Sequence, residues 1–94
     1  MIEVAGNRVS LSGRVTMAEA AAVLEEGRRC ISGDQVVFDL GQISEADSSA
    51  LAVLFGWLRE AKERGVNITL ANTPRSLVSL ADVYGVADFL PHSA

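Results

Sequence analysis

Gln35-Val36-Val37-Phe38-Asp39-Leu40, a short loop from Gly41 to Ala46, and then Asp47-Ser48-Ser49-Ala50-Leu51 decide how this chain folds. The first six residues form an apolar, β-branched run, the pattern of a central strand. The last five put two hydroxyls and a carboxylate at the start of an apolar segment, which predicts a helix over about Ser48 to Arg64. Backbone N–H groups are unpaired at such a start, and the helix dipole favours negative charge there. Gly65 stops the helix, with basic residues in its last turn.

Working outward, the upstream half predicts a hairpin and a helix. Ile2-Glu3-Val4 and Arg8-Val9-Ser10-Leu11 alternate apolar with polar across a turn at Ala5-Gly6-Asn7. Thr16 with Glu19 three residues on is a capping box, opening a helix that runs to about Arg29. Its alanines suggest close packing on a sheet, and Ser32-Gly33-Asp34 ends the segment. Downstream, Val66-Asn67-Ile68-Thr69-Leu70-Ala71 alternates as another strand. Thr73-Pro74 reads as an N-cap followed by proline at the first helical position. Leu77, Leu80, Ala81 and Tyr84 mark one face of a third helix that Gly85 ends, and Val86 to Pro91 closes the domain with room for a short edge strand. The order is strand-strand-helix-strand-helix-strand-helix. That implies an α/β fold: a largely parallel sheet with helices packed against it.

Ninety-four residues, 49% of them apolar, suit one globular domain over 1–94. A net charge of −4 excludes non-specific binding to nucleic acid or to an anionic membrane surface. Arg28-Arg29 and the set Arg59, Lys62, Arg64 read as solvated helix faces. Cys30 is the only cysteine, so no intramolecular disulfide can form; a reduced cytosolic compartment and a buried structural thiol are expected. Met1 to Leu11 lacks the basic start and apolar run of a signal peptide, and Ala50 to Phe55 is too short to span a bilayer. Work at a membrane would go through a partner.

Enzyme chemistry finds little to use. The one histidine, His92, lies near the C-terminus, where fraying is expected, and has no cysteine or histidine partner at metal-ligand spacing. A Ser-His-Asp arrangement would need that residue. The eight glycines are scattered singly, and no phosphate-binding loop is present. Asp39 and Asp47 stand at the carboxyl end of the sheet, where capping and loop hydrogen bonds are the expected roles rather than metal binding.

The second helix says more. Leu51, Leu54, Phe55, Leu58 and Ala61 are assigned to the core, while Ala50, Val53 and Trp57 widen the apolar arc. Ser48, Ser49, Ala52 and Gly56 form a strip of small residues that another backbone could approach. Two readings of Trp57 stand: it tucks under the first or third helix, or it anchors a protein-docking surface. Ser48 also has two compatible readings. Asp47 or Ser48 supplies the N-cap, and a hydroxyl at a helix N-terminus tolerates an added phosphate.

Val37-Phe38-Asp39-Leu40, the short loop and Asp47-Ser48-Ser49-Ala50-Leu51 resemble the signature of STAS domains (sulfate transporter and anti-sigma factor antagonist), and the resemblance covers nearly the whole chain. It implies a small mixed sheet with helices on it. Two branches compete. Anti-sigma factor antagonists carry a serine at the position of Ser48, which a partner kinase phosphorylates to switch binding. The MlaB branch is the cytoplasmic subunit of an ABC transporter that moves phospholipids for outer-membrane lipid asymmetry. Leu51-Ala52-Val53-Leu54, Ala61-Lys62, Asn67-Ile68-Thr69-Leu70 and Leu80-Ala81-Asp82-Val83-Tyr84-Gly85-Val86, ending at Phe89-Leu90-Pro91, are more similar to that second branch. Ala50, Ser48 and Thr16 depart from patterns that usually have glycine, threonine and aspartate respectively.

The resemblance therefore implies a non-catalytic subunit that binds an MlaF-like ATPase within a permease complex. The subunit would be cytoplasmic, peripheral to the inner membrane, and without a cofactor of its own. Its docking surface would comprise Asp47, Ser48, Ser49, Ala52 and Gly56, with Trp57 at the rim. The alternative it implies is partner switching by phosphorylation of Ser48.

Overall fold

A hairpin of β1 (Ile2–Ala5) and β2 (Arg8–Val15) starts the chain, turned at Gly6, whose φ of 61° is left-handed. The computed structural model describes residues 2–92. Then follow α1 (Met17–Arg29), β3 (Gln35–Ala46), α2 (Ser48–Arg64), β4 (Asn67–Ala71), α3 (Arg75–Val83) and a 3-10 turn over Ala87–Phe89. The sheet order is β1-β2-β3-β4, antiparallel at the hairpin and parallel across β2-β3 and β3-β4. The α/β class expected from the pattern is the one observed.

Alternation along the strands decides which face the helices cover. Val9 and Leu11, Val36, Phe38 and Leu40, Ile68 and Leu70 are buried, whereas Ser10, Val37, Asp39 and Thr69 between them are only half-buried. The helices pack on the first set. From α2, Ala50, Leu51, Val53, Leu54, Trp57 and Ala61 enter that core; Phe55 and Leu58, assigned to it from the sequence, are half-buried at its margin.

Several local expectations shift. Gly41 to Ala46, expected as a loop, continues β3 and pairs with Ser12 to Val15. Two register shifts break the alternation there, and β4 stops at the Asp39–Ala71 pair, so this overhang has a neighbour on one edge only. Helix α3 begins at Arg75 with Pro74 as its N-cap. The Thr73 hydroxyl instead lies 3.2 Å from Nδ1 of His92. Tyr84, expected on the core face of α3, is its C-cap and 58% exposed, because Gly85 at φ 71° turns the chain away. The expected edge strand shrinks to one parallel bridge between Leu70 and His92, with the Leu70 N–H donating to the Pro91 carbonyl at 2.8 Å. His92 is thus tied to the sheet rather than frayed. Cys30 is half-buried rather than buried, and desolvation raises its pKa, helped by the Glu26 charge.

Arg28 and Arg64 are not simply solvated either. Glu60 accepts from Arg28 Nε at 3.1 Å and from Arg64 Nε at 2.7 Å, and Arg64 also donates to the carbonyls of Arg28 and Ile31 at the end of α1. This network closes the lower end of the α1–α2 pair.

Candidate functional site

Asp47 organises the upper end of that pair. It sits in extended conformation after β3 as the N-cap of α2, and its Oδ1 accepts the Ser49 N–H at 2.8 Å. Its Oδ2 accepts the Met17 N–H at 3.2 Å, so one carboxylate satisfies orphan donors at the starts of both α1 and α2. Burial would raise the Asp47 pKa, but the bonds from Ser49 and Met17 outweigh it and hold the carboxyl below its ordinary range. Beside it, Thr16 donates from its backbone N–H and its hydroxyl to the Glu19 carboxylate, at 2.9 and 2.7 Å. The capping box expected from the sequence is in place, and these bonds lower the Glu19 pKa.

Asp39 has a separate structural task on the less-covered face of the sheet. Its carboxylate accepts from the Gly41 N–H at 2.9 Å, Asn72 Nδ2 at 3.2 Å and the Arg8 guanidinium at 2.7 Å. The Gly41 bond is the largest cause of its lowered pKa, followed by Arg8. Asn72, at φ 55°, is held in the left-handed region where the chain turns from β4 toward α3. Both aspartates are therefore engaged in capping and loop bonds.

With Asp47 as the cap, Ser48 is the first helical residue. It is exposed, and no hydrogen bond among the described residues engages its hydroxyl. Of the two candidates for the cap, Asp47 takes the role and leaves Ser48 facing outward. Ser49 is half-buried and Ala52, one turn on, is exposed.

Two residues of the expected docking surface belong elsewhere. Trp57 is 1% exposed: its ring stacks on Phe38 with centroids 4.2 Å apart and planes 10° from parallel, and Nε1 donates to the Leu24 carbonyl at 3.0 Å. It tucks under α1, the first of its two readings, and is not available to anchor a rim. Gly56 is turned toward α1 as well, where a Cβ would come within 2.7 Å of Leu24 Cδ1. It is half-buried on the α1 flank of the helix, beside Leu24 and Arg28 and away from the flank that faces Tyr84.

Reading from sequence missed what lies on the other flank of α2. Ser48, Leu51 and Phe55 face Tyr84 and Val86 across a groove of about 350 Å³ whose walls are mostly apolar. The signal lies in Phe55 and Tyr84, which helical spacing alone assigns to the core, while Leu51 is a core residue whose edge also reaches the groove. Met17, 80% exposed, stands on the opposite side of Asp47. Among the described residues no three His, Cys, Asp or Glu side chains gather as metal ligands, and no helix is long and apolar enough to cross a membrane.

Comparison with known proteins agrees with this architecture. A family model described as "Mlab, STAS domain" matches residues 2–91. The "Intermembrane phospholipid transport system binding protein MlaB" of Escherichia coli (strain K12) is 30% identical over 87 residues, spanning 92% of this chain and 89% of that one. The Haemophilus influenzae protein of the same name is 31% identical over 55 residues, spanning 58% of this chain and 52% of its own length. Among solved structures, the anti-sigma factor antagonist SpoIIAA in its unphosphorylated form superposes with a TM-score of 0.75 at 14% identity, covering 100% of this chain and 87% of that one. The STAS domain of a SulP transporter from Vibrio cholerae superposes at 0.57 with 13% identity, covering 98% and 77%. At those identities the superpositions speak to the fold alone. The family match over residues 2–91 and the 30% identity with MlaB along most of both chains together decide the lineage: this chain belongs to the MlaB-type STAS-domain family.

Proposed function

We propose that this chain is a single, non-catalytic STAS domain that binds the ATPase subunit of a phospholipid ABC transporter and supports its assembly or activity in maintaining outer-membrane lipid asymmetry. It works on the cytoplasmic side, peripheral to the inner membrane, and ATP belongs to the partner. The docking surface is centred on Asp47, Ser48, Ser49 and Ala52. The observation that carries this reading is Ser48: exposed at the first position of α2, unused as a cap, on the wall of an apolar groove. The relative that matches across 92% of the chain is named as a binding protein of a phospholipid transport system, which supports the choice of partner.

The test is capture of the tagged protein from its native host, with mass spectrometry of what co-purifies. An ABC ATPase with its permease supports the reading, and its absence overturns it.

A second reading keeps the same residue. The outward hydroxyl of Ser48, at a helix N-terminus that tolerates a phosphate, is also what an anti-sigma factor antagonist would need. That reading requires a kinase-like anti-sigma factor in the captured material and a phosphorylated pool of Ser48.

A further inference from the structure

Large apolar side chains gather on both sides of Ser48. Among the described residues five are well exposed: Val4, Met17, Val83, Tyr84 and Phe89. Met17 is joined to the start of α2 through Asp47, which takes the N–H groups of Met17 and Ser49 on its two oxygens. Tyr84, 58% exposed, forms the far wall of the groove that Ser48 helps to line. Val83 precedes Tyr84, and Phe89, 69% exposed, stands one turn beyond the wall residue Val86 and donates its N–H to the Val86 carbonyl at 3.0 Å. Only Val4, on the edge strand of the hairpin, stands apart. Apolar exposure concentrated in this way marks an interaction surface, whereas scattered single residues would not.

The charges around the patch select its occupant. Ser48 to Leu58 contains no charged residue. The negative groups near the patch are Asp47, the exposed Asp88 next to Phe89 in the chain, and the carbonyl end of α3 at Tyr84. Arg14, at the same end of the sheet, is paired with Glu45 at 3.5 Å. Arg75 opens α3 at the end opposite Tyr84 and shares a separate groove with Asp82. Arg59 lies on the other flank of α2, among the residues facing α1. An anionic lipid surface requires a cluster of lysines or arginines, and on the groove side of α2 helical spacing places only Lys62, two turns beyond Phe55. A two-fold dimer through the patch would set Asp47 and Asp88 of one copy against the same acidic rim of the other, in a chain of net charge −4. A foreign protein with an apolar ridge flanked by basic residues meets both demands.

We infer that Met17 and Tyr84 are paired apolar anchors on either side of Ser48, and that they receive a segment of the ATPase partner that carries apolar side chains flanked by lysine or arginine. This rests on the docking reading proposed above and adds the anchors and the partner's chemistry.

The experiment measures binding of the purified full chain to the transporter ATPase subunit of its own host, at low and high salt. Met17→Ser and Tyr84→Ser are each expected to weaken binding about tenfold or more, as loss of a buried interface anchor does. Val4→Ser is expected to change nothing. Asp88→Lys is expected to weaken binding, and high salt to weaken the wild type. All four positions are exposed, so circular dichroism and melting should match the wild type.

If the wild type does not bind the ATPase, the docking reading falls and the anchors fall with it. If it binds and Ser48→Arg abolishes binding while either anchor variant binds normally, the two-sided surface is overturned and the docking reading stands. Binding that is indifferent to salt and to Asp88→Lys overturns the basic segment. Self-association, or capture by phosphatidylglycerol vesicles, that is lost in Tyr84→Ser would assign the patch to another occupant and overturn the proposal.

Discussion

The indole of Trp57 lies against the α1 backbone at Gly27, in the space that any side chain at that position would occupy. A Cβ there would come within 2.2 Å of the ring atoms Cε2 and Cζ2, and the ring is held in place by its stacking on Phe38 and by the Nε1 bond to the Leu24 carbonyl. Gly27→Ala is therefore expected to destabilise the protein, although alanine in a helix interior normally gains about 1 kcal/mol over glycine. Overpacking of this kind costs about 1–3 kcal/mol. At about 4–8 °C per kcal/mol for a domain of this size, a melting experiment resolves the sign.

Gly56→Ala supplies the contrast. Its Cβ would meet only a terminal methyl of Leu24, at 2.7 Å, and that flexible tip can turn aside. The melting temperature is expected to stay close to that of the wild type. A loss as large as that of Gly27→Ala would show the α1–α2 contact to be as rigid at Gly56 as it is at Trp57.

Acid should loosen the fold through Asp39. Its folded pKa lies below the ordinary aspartate value, with Gly41 and Arg8 as the leading favourable partners. The unfolded chain thus binds the proton first as pH falls. The contribution is full above the unfolded pKa and is lost as pH drops through the folded one. Denaturant midpoints measured from neutral pH to below about pH 3 should decline at the acid end, and Asp39→Asn should flatten that decline. An unchanged acid limb in Asp39→Asn would assign the acid sensitivity to other carboxylates.

Ser48→Arg should separate folding from binding. Asp47 holds the cap and Ser48 is exposed, so the melting temperature should barely move. Affinity for the ATPase should fall by about tenfold or more if a partner closes over this position. Asp47→Ala is the reciprocal case: it removes acceptors from both Ser49 and Met17, so the denaturant midpoint should fall. Ser48→Arg binding as tightly as the wild type would remove Ser48 from the contact.

Much of this was legible in the sequence because local signals and burial agreed. The span Ser48–Arg64, the Gly65 stop and the Thr16–Glu19 box stand where pattern put them. What was not legible depended on contacts distant in the chain. Gly41 to Ala46 reads as loop because its strand pairing is one-sided and interrupted by bulges. Thr73 reads as a cap until His92 comes within reach of its hydroxyl. Trp57 could face in or out on helical spacing alone; the absent side chain at Gly27, thirty positions earlier in the chain, is what admits it. The groove was hidden for a similar reason. Leu51, Phe55 and Tyr84 are apolar at core spacing, and nothing local says that α3 stops one residue before Tyr84 could turn inward.

The fit of Trp57 into the gap at Gly27 also makes the two positions a linked pair in descent. Each residue is affordable only while the other is kept, so single replacements should be selected against while joint ones survive. Across relatives, a side chain larger than glycine at the first site should accompany a smaller ring, or none, at the second. Covariation between those two columns would then record the meeting of α1 and α2 in chains whose structures have not been determined.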